Sequence, residues 1–103
     1  MAKSRGGVEH SAVSTNTTIK TSPSIYYGCI VHNLTTAGVK ALIYDAKATA
    51  QGDLTDVVVV AAGTNANARS QWAQGVIMHS GIHVQALVCT SAADSIIVFY
   101  GGV

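Results

Sequence analysis

Apolar and polar positions alternate in short runs along this chain, and turn residues separate the runs. Alternation with a period of two places successive side chains on opposite faces of a strand. The pattern predicts seven strand-like segments: residues 12–20, 25–33, 39–45, 55–62, 72–79, 82–89 and 95–100. We expect loops over residues 46–53 and 63–68, where small, polar and glycine residues gather. The Ala-rich residues 61–73 are the one place where a short helical turn could lie, and Gly75 should interrupt the strand after Trp72.

Three segments carry specific expectations about side-chain direction. Consecutive residues of a strand face opposite ways, so one of Tyr26 and Tyr27 should be in the core and the other on the surface or at an interface. The run Val57–Val60 is uncharged and β-prone, so it should be either a strand covered on both faces or a core strand of a sandwich, and in either case interior or paired. In residues 82–89 the inward positions are predicted to be Ile82, Val84, Ala86 and Val88, and the outward ones His83, Gln85 and Leu87.

The composition favours an all-β fold. Val, Ile and Thr together supply 31 of 103 residues, and these branched side chains pack well on a pleated sheet. We predict a single antiparallel β-sandwich or jelly-roll domain of seven to eight short strands over residues 21–103. Residues 1–20 are predicted to form an extended N-terminal arm with a possible first strand. The first ten are typical of a mobile tail, or of a segment that is ordered along another subunit.

Charge is scarce, and this narrows the possible roles. Charged residues make up 11% of the chain against roughly 25% in an average domain, while 49% of residues are hydrophobic. Association with copies of itself or with a larger body would compensate for so few charges. The six scattered Lys and Arg residues form no basic stripe, which argues against a nucleic-acid partner. No apolar run is long enough for a membrane span, and the first residues lack the apolar core of a secretory signal.

Candidate chemistry is sparse. Cys29 and Cys89 lie in apolar runs and are interpreted as two buried thiols, with a disulfide or a reactive site as the alternatives. Cys29 and His32 are three apart on a strand and point to opposite faces, while His79 and His83 flank a turn without a carboxylate. The chain has neither a nucleophile elbow nor a phosphate-binding loop. We therefore predict no enzyme activity, no metal, no cofactor and no small-molecule substrate.

Six residues are candidates for an interface. Trp72 is the single large side chain of its region, and it could either anchor the core or anchor a contact between subunits. Trp, Tyr and Arg recur in the energetic centres of protein interfaces. The candidates combine such residues in the strands with three positions in the arm: Lys3, Arg5, Val8, Tyr27, Arg69 and Trp72.

The order of these elements over residues 25–103 resembles the small β-sandwich virion proteins encoded beside the major capsid protein of tailed bacteriophages. The resemblance lies in the Gly-containing strand at 25–31, the Ile-Tyr-Asp element ending at Asp45, and the segment from Trp72 to Met78. It continues in the Ser-Gly-hydrophobic-x-Val element at 80–84 and in a last strand ending at Tyr100. These are motifs of turns and strands rather than of active sites.

The resemblance implies a decoration, or cement, protein that is made in the host cytoplasm and binds the outside of an icosahedral shell. Its partners would be copies of itself, commonly in a homotrimer, and the major capsid protein. Residues 1–20 would then reach across a neighbouring subunit or the shell. The alternatives are a tail, neck or fibre component of the virion, and a carbohydrate-binding module that uses Tyr27 or Trp72.

Overall fold

The structure is a computed structural model, and it describes residues 8–13, 15–33, 39–48, 52–60, 66–87 and 95–102. These ranges contain eight β-strands and no helix. The strands are β1 (Glu9–Val13), β2 (Thr17–Lys20), β3 (Ser24–Asn33), β4 (Val39–Asp45), β5 (Asp53–Val60), β6 (Ala66–Met78), β7 (Ile82–Leu87) and β8 (Ser95–Gly102). The predicted all-β fold is confirmed.

Two four-stranded antiparallel sheets form the sandwich. Sheet A has the order β1-β8-β3-β6 and sheet B the order β2-β7-β4-β5. Each early strand pairs with a late one, so that β1 meets β8, β2 meets β7, β3 meets β6 and β4 meets β5. A ribbon of four such pairs, wrapped into two facing sheets, is the connectivity of an eight-stranded jelly roll.

The core lies between the two sheets and is made largely of β-branched side chains. Its largest fully buried members are Tyr26, Ile43, Met78, Ile82 and Ile96. Val31, Val39, Val84 and Val98 fill the space between them. Burial of Ile82 and Val84 confirms the predicted inward face of β7, whereas Val88 lies outside the described residues. Close packing of these stiff side chains explains why a chain with few charges still specifies one register.

β5 and β6 close one edge of the sandwich. Each is the last strand of its sheet, and side chains of Asp56 on β5 and Ser70 on β6 bond to each other across the layer. β1 and β2 therefore close the opposite edge. The edge formed by β5 and β6 carries most of the exposed large apolar side chains, whereas β1 and β2 present Thr, Ser, Glu, His and Lys.

The segment expected to be one strand over residues 12–20 is in fact two strands in different sheets. β1 ends at Val13 in sheet A, and β2 starts at Thr17 in sheet B. The chain changes sheets between them, which lets both Val13 and Ile19 pack against the same core. The possible first strand of the arm thus belongs to the sandwich, and residues 1–7 lie outside the described part of the chain.

β6 is longer than predicted. It starts at Ala66, inside the segment expected to be a loop, and continues through Gly75 to Met78. The register explains how: Tyr26 pairs with Val76 and Gly28 with Gln71, so a single residue of β3, Tyr27, faces four residues of β6. The predicted interruption at Gly75 is a large bulge within one strand, with four residues opposite one. The helical turn considered for residues 61–73 does not occur in 66–73, and 61–65 lie outside the described ranges.

The two alternatives for Val57–Val60 are now resolved. β5 pairs with β4 and places Val58 and Val60 in the sandwich core, which confirms the core-strand alternative. Coverage on both faces is wrong, since Val57 and Val59 are 44% and 54% exposed on an edge strand with only one face on the core. The prediction that His83 faces solvent is also wrong, because this residue is only 7% exposed. Its ring is covered by the neighbouring strand β2, where Thr18 Oγ1 lies 2.8 Å from His83 Nδ1.

Candidate binding groove

An open groove of about 370 Å³ lies along sheet A. Strand β6 forms one wall, β3 and β8 supply the floor, and the residue before β1 contributes from the other side. The lining residues are Val8, Tyr27, Ile30, Arg69, Ser70, Gln71, Trp72, Ala73 and Phe99. The lining is mainly apolar and aromatic, with a few polar groups, which is the usual make-up of a binding site.

The groove brings together four of the six residues predicted as interface candidates. Val8, Tyr27, Arg69 and Trp72 come from distant parts of the sequence and meet because β3 and β6 are neighbours in sheet A. The remaining two, Lys3 and Arg5, lie outside the described residues. Ile30, Gln71 and Phe99 were missed. An aliphatic or amide side chain on a strand carries no signal of its own in a single sequence, and Phe99 lies within the apolar run 96–100, where an aromatic residue is expected in the core.

The two adjacent tyrosines divide as predicted. Tyr26 is fully buried in the core, and Tyr27 is half-buried on the groove side of the same strand. For Trp72, the interpretation as a core anchor is wrong. Its side chain is 43% exposed, and it stands in the groove wall. The bulge in β6 is the cause, because it takes Trp72 out of the strand's regular alternation.

Gly75 allows the bulge to close tightly over β3. Its φ of +80° lies in the left-handed region that disfavours side chains. A Cβ at this position would collide with Ile25 Cγ2 and would come within 3.0 Å of the Tyr27 ring. The backbone of β6 thus packs directly on Tyr27, and this contact restricts the aromatic ring where it borders the groove.

The Asp56 carboxylate holds the other side of Trp72. Its Oδ2 accepts hydrogen bonds from Tyr26 Oη at 2.7 Å, Ser70 Oγ at 2.5 Å and Trp72 Nε1 at 3.3 Å. Its Oδ1 accepts the N–H of Val57. One carboxylate therefore ties β5 to β3 and β6 and fixes the indole from behind. The sequence shows only a lone Asp before a Val run, so this contact could not be read from spacing.

Burial controls the two titratable groups behind the groove. Desolvation is the main reason why the pKa of Tyr26 is raised far above its ordinary value, so its hydroxyl remains a donor to Asp56. Desolvation also raises the pKa of the Cys29 thiol. Cys29 is buried and free, as predicted, while Cys89 lies outside the described residues. A protonated, buried thiol is a poor nucleophile.

Arg69 is the charged group of the groove. Its side chain is exposed, and it stands opposite Ile30 in the β3–β6 register. Within the described ranges no carboxylate forms an ion pair with it. The groove thus combines aromatic and aliphatic walls with the Arg69 guanidinium.

A second polar cluster joins two of the motifs noted in the sequence. The carboxylate of Asp45, which ends the Ile-Tyr-Asp element, accepts backbone N–H groups from the turn that opens the Ser-Gly element. Oδ2 accepts from His79 at 2.9 Å, and Oδ1 accepts from Ser80 at 2.7 Å and from Gly81 at 3.4 Å. Partial burial pushes the pKa of Asp45 upward, but these N–H groups, with the nearby His79, outweigh it and lower the pKa. The cluster fastens the β6–β7 turn to β4.

The described residues hold neither a metal site nor a membrane-spanning helix. Among the described residues, no three His, Cys, Asp or Glu side chains are arranged to hold a metal ion. These residues likewise include no helix that is long and apolar enough to cross a membrane.

Comparison with known proteins gives no relative. No family model, no curated protein and no solved structure matches this chain.

Proposed function

We propose that this chain is a structural, non-catalytic protein of a phage virion that decorates the outside of the capsid shell. One observation carries the proposal: among the described residues, five of the six exposed large apolar side chains lie on β5 and β6, the two strands that close one edge. They are Leu54, Val57, Val59, Trp72 and Ile77. An exposed, hydrophobic edge strand without Lys or Pro invites pairing with another chain, and proteins that remain monomeric usually block it.

Two further features support a role in an assembly. The chain has few charges with which to keep identical copies apart, so burial against neighbours would relieve its exposed apolar surface. The eight-stranded jelly roll is a common architecture of capsid domains, although it also serves in lectins and cupins. The fold is therefore consistent with a virion role. Because proteins with other functions share it, the fold alone does not assign that role.

The proposed partners are further copies of the chain, in a trimer at the junctions between capsomers, and the major capsid protein. The segment before β1, which includes Lys3 and Arg5, reaches a neighbouring subunit or the shell. Each contact is modest, but a trimer that engages several sites at once gains avidity, so release from the shell becomes cooperative.

The test is the composition of virus particles assembled from the genome that encodes this chain. We expect quantitative mass spectrometry of gradient-purified particles to find it at a copy number near that of the capsid subunit. A handful of copies per particle would assign it to the tail, neck or a fibre. Absence from the particles would refute the proposal. Deletion of residues 2–7, which leaves β1 intact, should give a folded sandwich that decorates shells poorly.

A carbohydrate-binding module is the second candidate, and the groove is the observation that favours it. Tyr27 and Trp72 offer partly exposed aromatic faces, and Arg69 and Gln71 offer hydrogen-bond donors beside them. Binding to a glycan array that disappears in Trp72→Ala would support this role. The predominantly apolar lining makes the first candidate the better fit, since sugars need more polar partners than the groove supplies.

A further inference from the structure

We infer that the groove on sheet A binds an extended segment of the shell protein in which an apolar side chain lies beside a carboxylate. The inference deepens the proposed function and rests on it for the identity of the partner. The chemistry of the segment, however, follows from the groove alone.

The size of the groove limits what can enter. About 370 Å³ is at the lower end of the range for ligand sites, roughly 300–1,000 Å³. It is enough for a few side chains of an extended segment and too little for a folded element. Since the groove is open along the sheet surface, the segment can enter and leave without any strand moving.

The walls of the groove select an apolar side chain. Tyr27, Ile30, Trp72 and Phe99 face the space from three strands. Two of these rings are held in place before any partner arrives, Trp72 by its bond to Asp56 and Tyr27 by the backbone at Gly75. Rings that are already fixed lose little conformational entropy on binding, which is how preorganised sites gain affinity.

The charge of the groove selects the neighbouring group. Arg69 is exposed on the β6 wall and forms no ion pair with any carboxylate of the described residues. A guanidinium presents a planar pair of N–H donors that matches a carboxylate, and such charge-assisted bonds are about twice as strong as neutral ones. The complementary segment therefore carries an Asp or Glu, or a chain terminus, next to its apolar anchor.

A matched pair of dyes tests the groove without the partner. 1-Anilinonaphthalene-8-sulfonate joins an apolar aromatic body to an anion that stands in for the carboxylate, and N-phenyl-1-naphthylamine is its uncharged analogue. Trp72 is the only tryptophan of the chain, so its emission reports occupancy of the groove directly. We expect the anionic dye to bind more tightly than the neutral one and to quench Trp72.

Two charge reversals complete the test. Arg69→Glu should weaken binding of the anionic dye roughly tenfold, the effect of one charge-assisted hydrogen bond, and leave the neutral dye unaffected. Lys20→Glu makes the same change in charge on β2, at the opposite edge of sheet B from β5, and should alter neither. Equal binding of the anionic dye by the parent chain and Arg69→Glu would overturn the inference. Displacement of the dye by a short single-stranded oligonucleotide would also overturn it, in favour of a nucleic acid.

Undecorated shells then separate the inference from the proposed function. We expect the parent chain and Lys20→Glu to bind these shells and Arg69→Glu to bind at least about tenfold more weakly. If all three bind equally, the groove is not the contact, and the decoration role stands. If none binds while the dye still depends on Arg69, the decoration role fails, and the groove keeps its ligand chemistry for another partner.

Discussion

Asp45 and Ser80 are 35 positions apart in the sequence, yet a carboxylate oxygen of one accepts the backbone N–H of the other at 2.7 Å. The contact joins the end of β4 to the turn between β6 and β7, and His79 and Gly81 donate to the same carboxylate. A Cβ on Gly81 would collide with the backbone oxygen of Lys20, so the turn also packs closely against the end of β2. The Asp45 carboxylate therefore holds the turn that leads into β7, and the same turn packs against the end of β2.

Replacing this carboxylate should weaken the fold in a pH-dependent way. Asp45→Ala leaves three turn N–H groups without their acceptor, and we expect a loss of about 1–2 kcal/mol in the free energy of unfolding. Because the pKa of Asp45 is lowered in the folded state, this contribution is present above the ordinary pKa, near pH 4, and is lost as the pH falls through the lowered value. Urea denaturation between pH 2.5 and 7 measures it.

The control for this experiment is Asp53→Ala. Asp53 is exposed and stands opposite Asp45 in the β4–β5 register, so its removal deletes a nearby negative charge without touching the turn. We expect a change within about 0.5 kcal/mol. Equal losses in the two variants would show that the turn does not depend on Asp45.

Tyr26→Phe tests the network behind Trp72. The substitution removes the hydroxyl that donates to Asp56 at 2.7 Å while keeping the ring in the core. We expect a loss of about 1.5–3 kcal/mol in urea denaturation, the usual contribution of one hydrogen bond to a charged group. The matched control is Tyr44→Phe, whose hydroxyl makes a longer bond of 3.4 Å to Gln85 and lies near the surface. A Tyr44→Phe loss as large as that of Tyr26→Phe would contradict the assigned role of Asp56.

Val59→Glu tests whether the β5 edge mediates self-association. A charge on an edge strand is a common natural block to pairing. In the monomer the new carboxylate would face Lys40 across the β4–β5 pair, so the fold should be retained. We expect sedimentation velocity to show an oligomer for the parent chain, a trimer in the proposed arrangement, and at least about tenfold weaker association for the variant, a typical effect of a charge placed in a protein interface.

Val8→Glu is the counterpart of that variant. Val8 has nearly the same exposure as Val59, 52% against 54%, but it lines the groove and does not lie on the β5–β6 edge. Its substitution should weaken the oligomer less than Val59→Glu does. If Val8→Glu dissociates the oligomer and Val59→Glu does not, copies of the chain meet at the groove, and the assignment of the edge is wrong.

His83 should make stability sensitive to mild acid. Thr18 donates its hydroxyl proton to the carbonyl of Ala48, so it accepts from the Nδ1–H of the neutral His83 ring. Desolvation lowers the pKa of His83, and the unfolded chain therefore binds a proton more readily than the folded one. Stability should fall as the pH drops below about 6.5 towards the lowered pKa, and should level off below it.

His83→Gln should reduce this loss between pH 7 and 5, as measured by urea midpoints. The control His10→Gln alters an exposed histidine on β1, in the other sheet, where its ring lies near Phe99. It should keep the slope of the parent chain. An unchanged slope in His83→Gln would show that β2 is not held through the neutral ring.

The sequence predicted the layers of the fold because alternation acts on each strand separately. Ile82 and Val84 point inwards, and Tyr26 and Tyr27 divide between core and surface, as the period of two requires. Coverage of the outer faces depends on strand order instead. Val57 and Val59 are exposed because β5 is an edge strand, and His83 is buried because β2 lies beside β7. Neither fact is contained in the local pattern.

The sequence predicted part of the groove through residue type. Tyr27, Arg69 and Trp72 were singled out because large aromatic and Arg side chains stand out in a chain with few of them, and Val8 was included as a position in the arm. The contacts that position them are long-range. Asp56 is 14 positions from Ser70, and the bulge that turns Trp72 outwards arises only when β6 pairs with β3. Spacing along the sequence cannot show either feature.

The nested pairing of strands also sets the order in which the molecule can be built. The β4–β5 pair joins neighbouring segments, whereas β1 must wait for β8, with Glu9 opposite Tyr100. Loop closure between such distant segments is slow, and a ribosome delivers β8 after the seven strands before it. During synthesis the apolar faces of those seven strands therefore stay without their final cover until β8 has emerged, a period in which chaperones would be most useful to the chain.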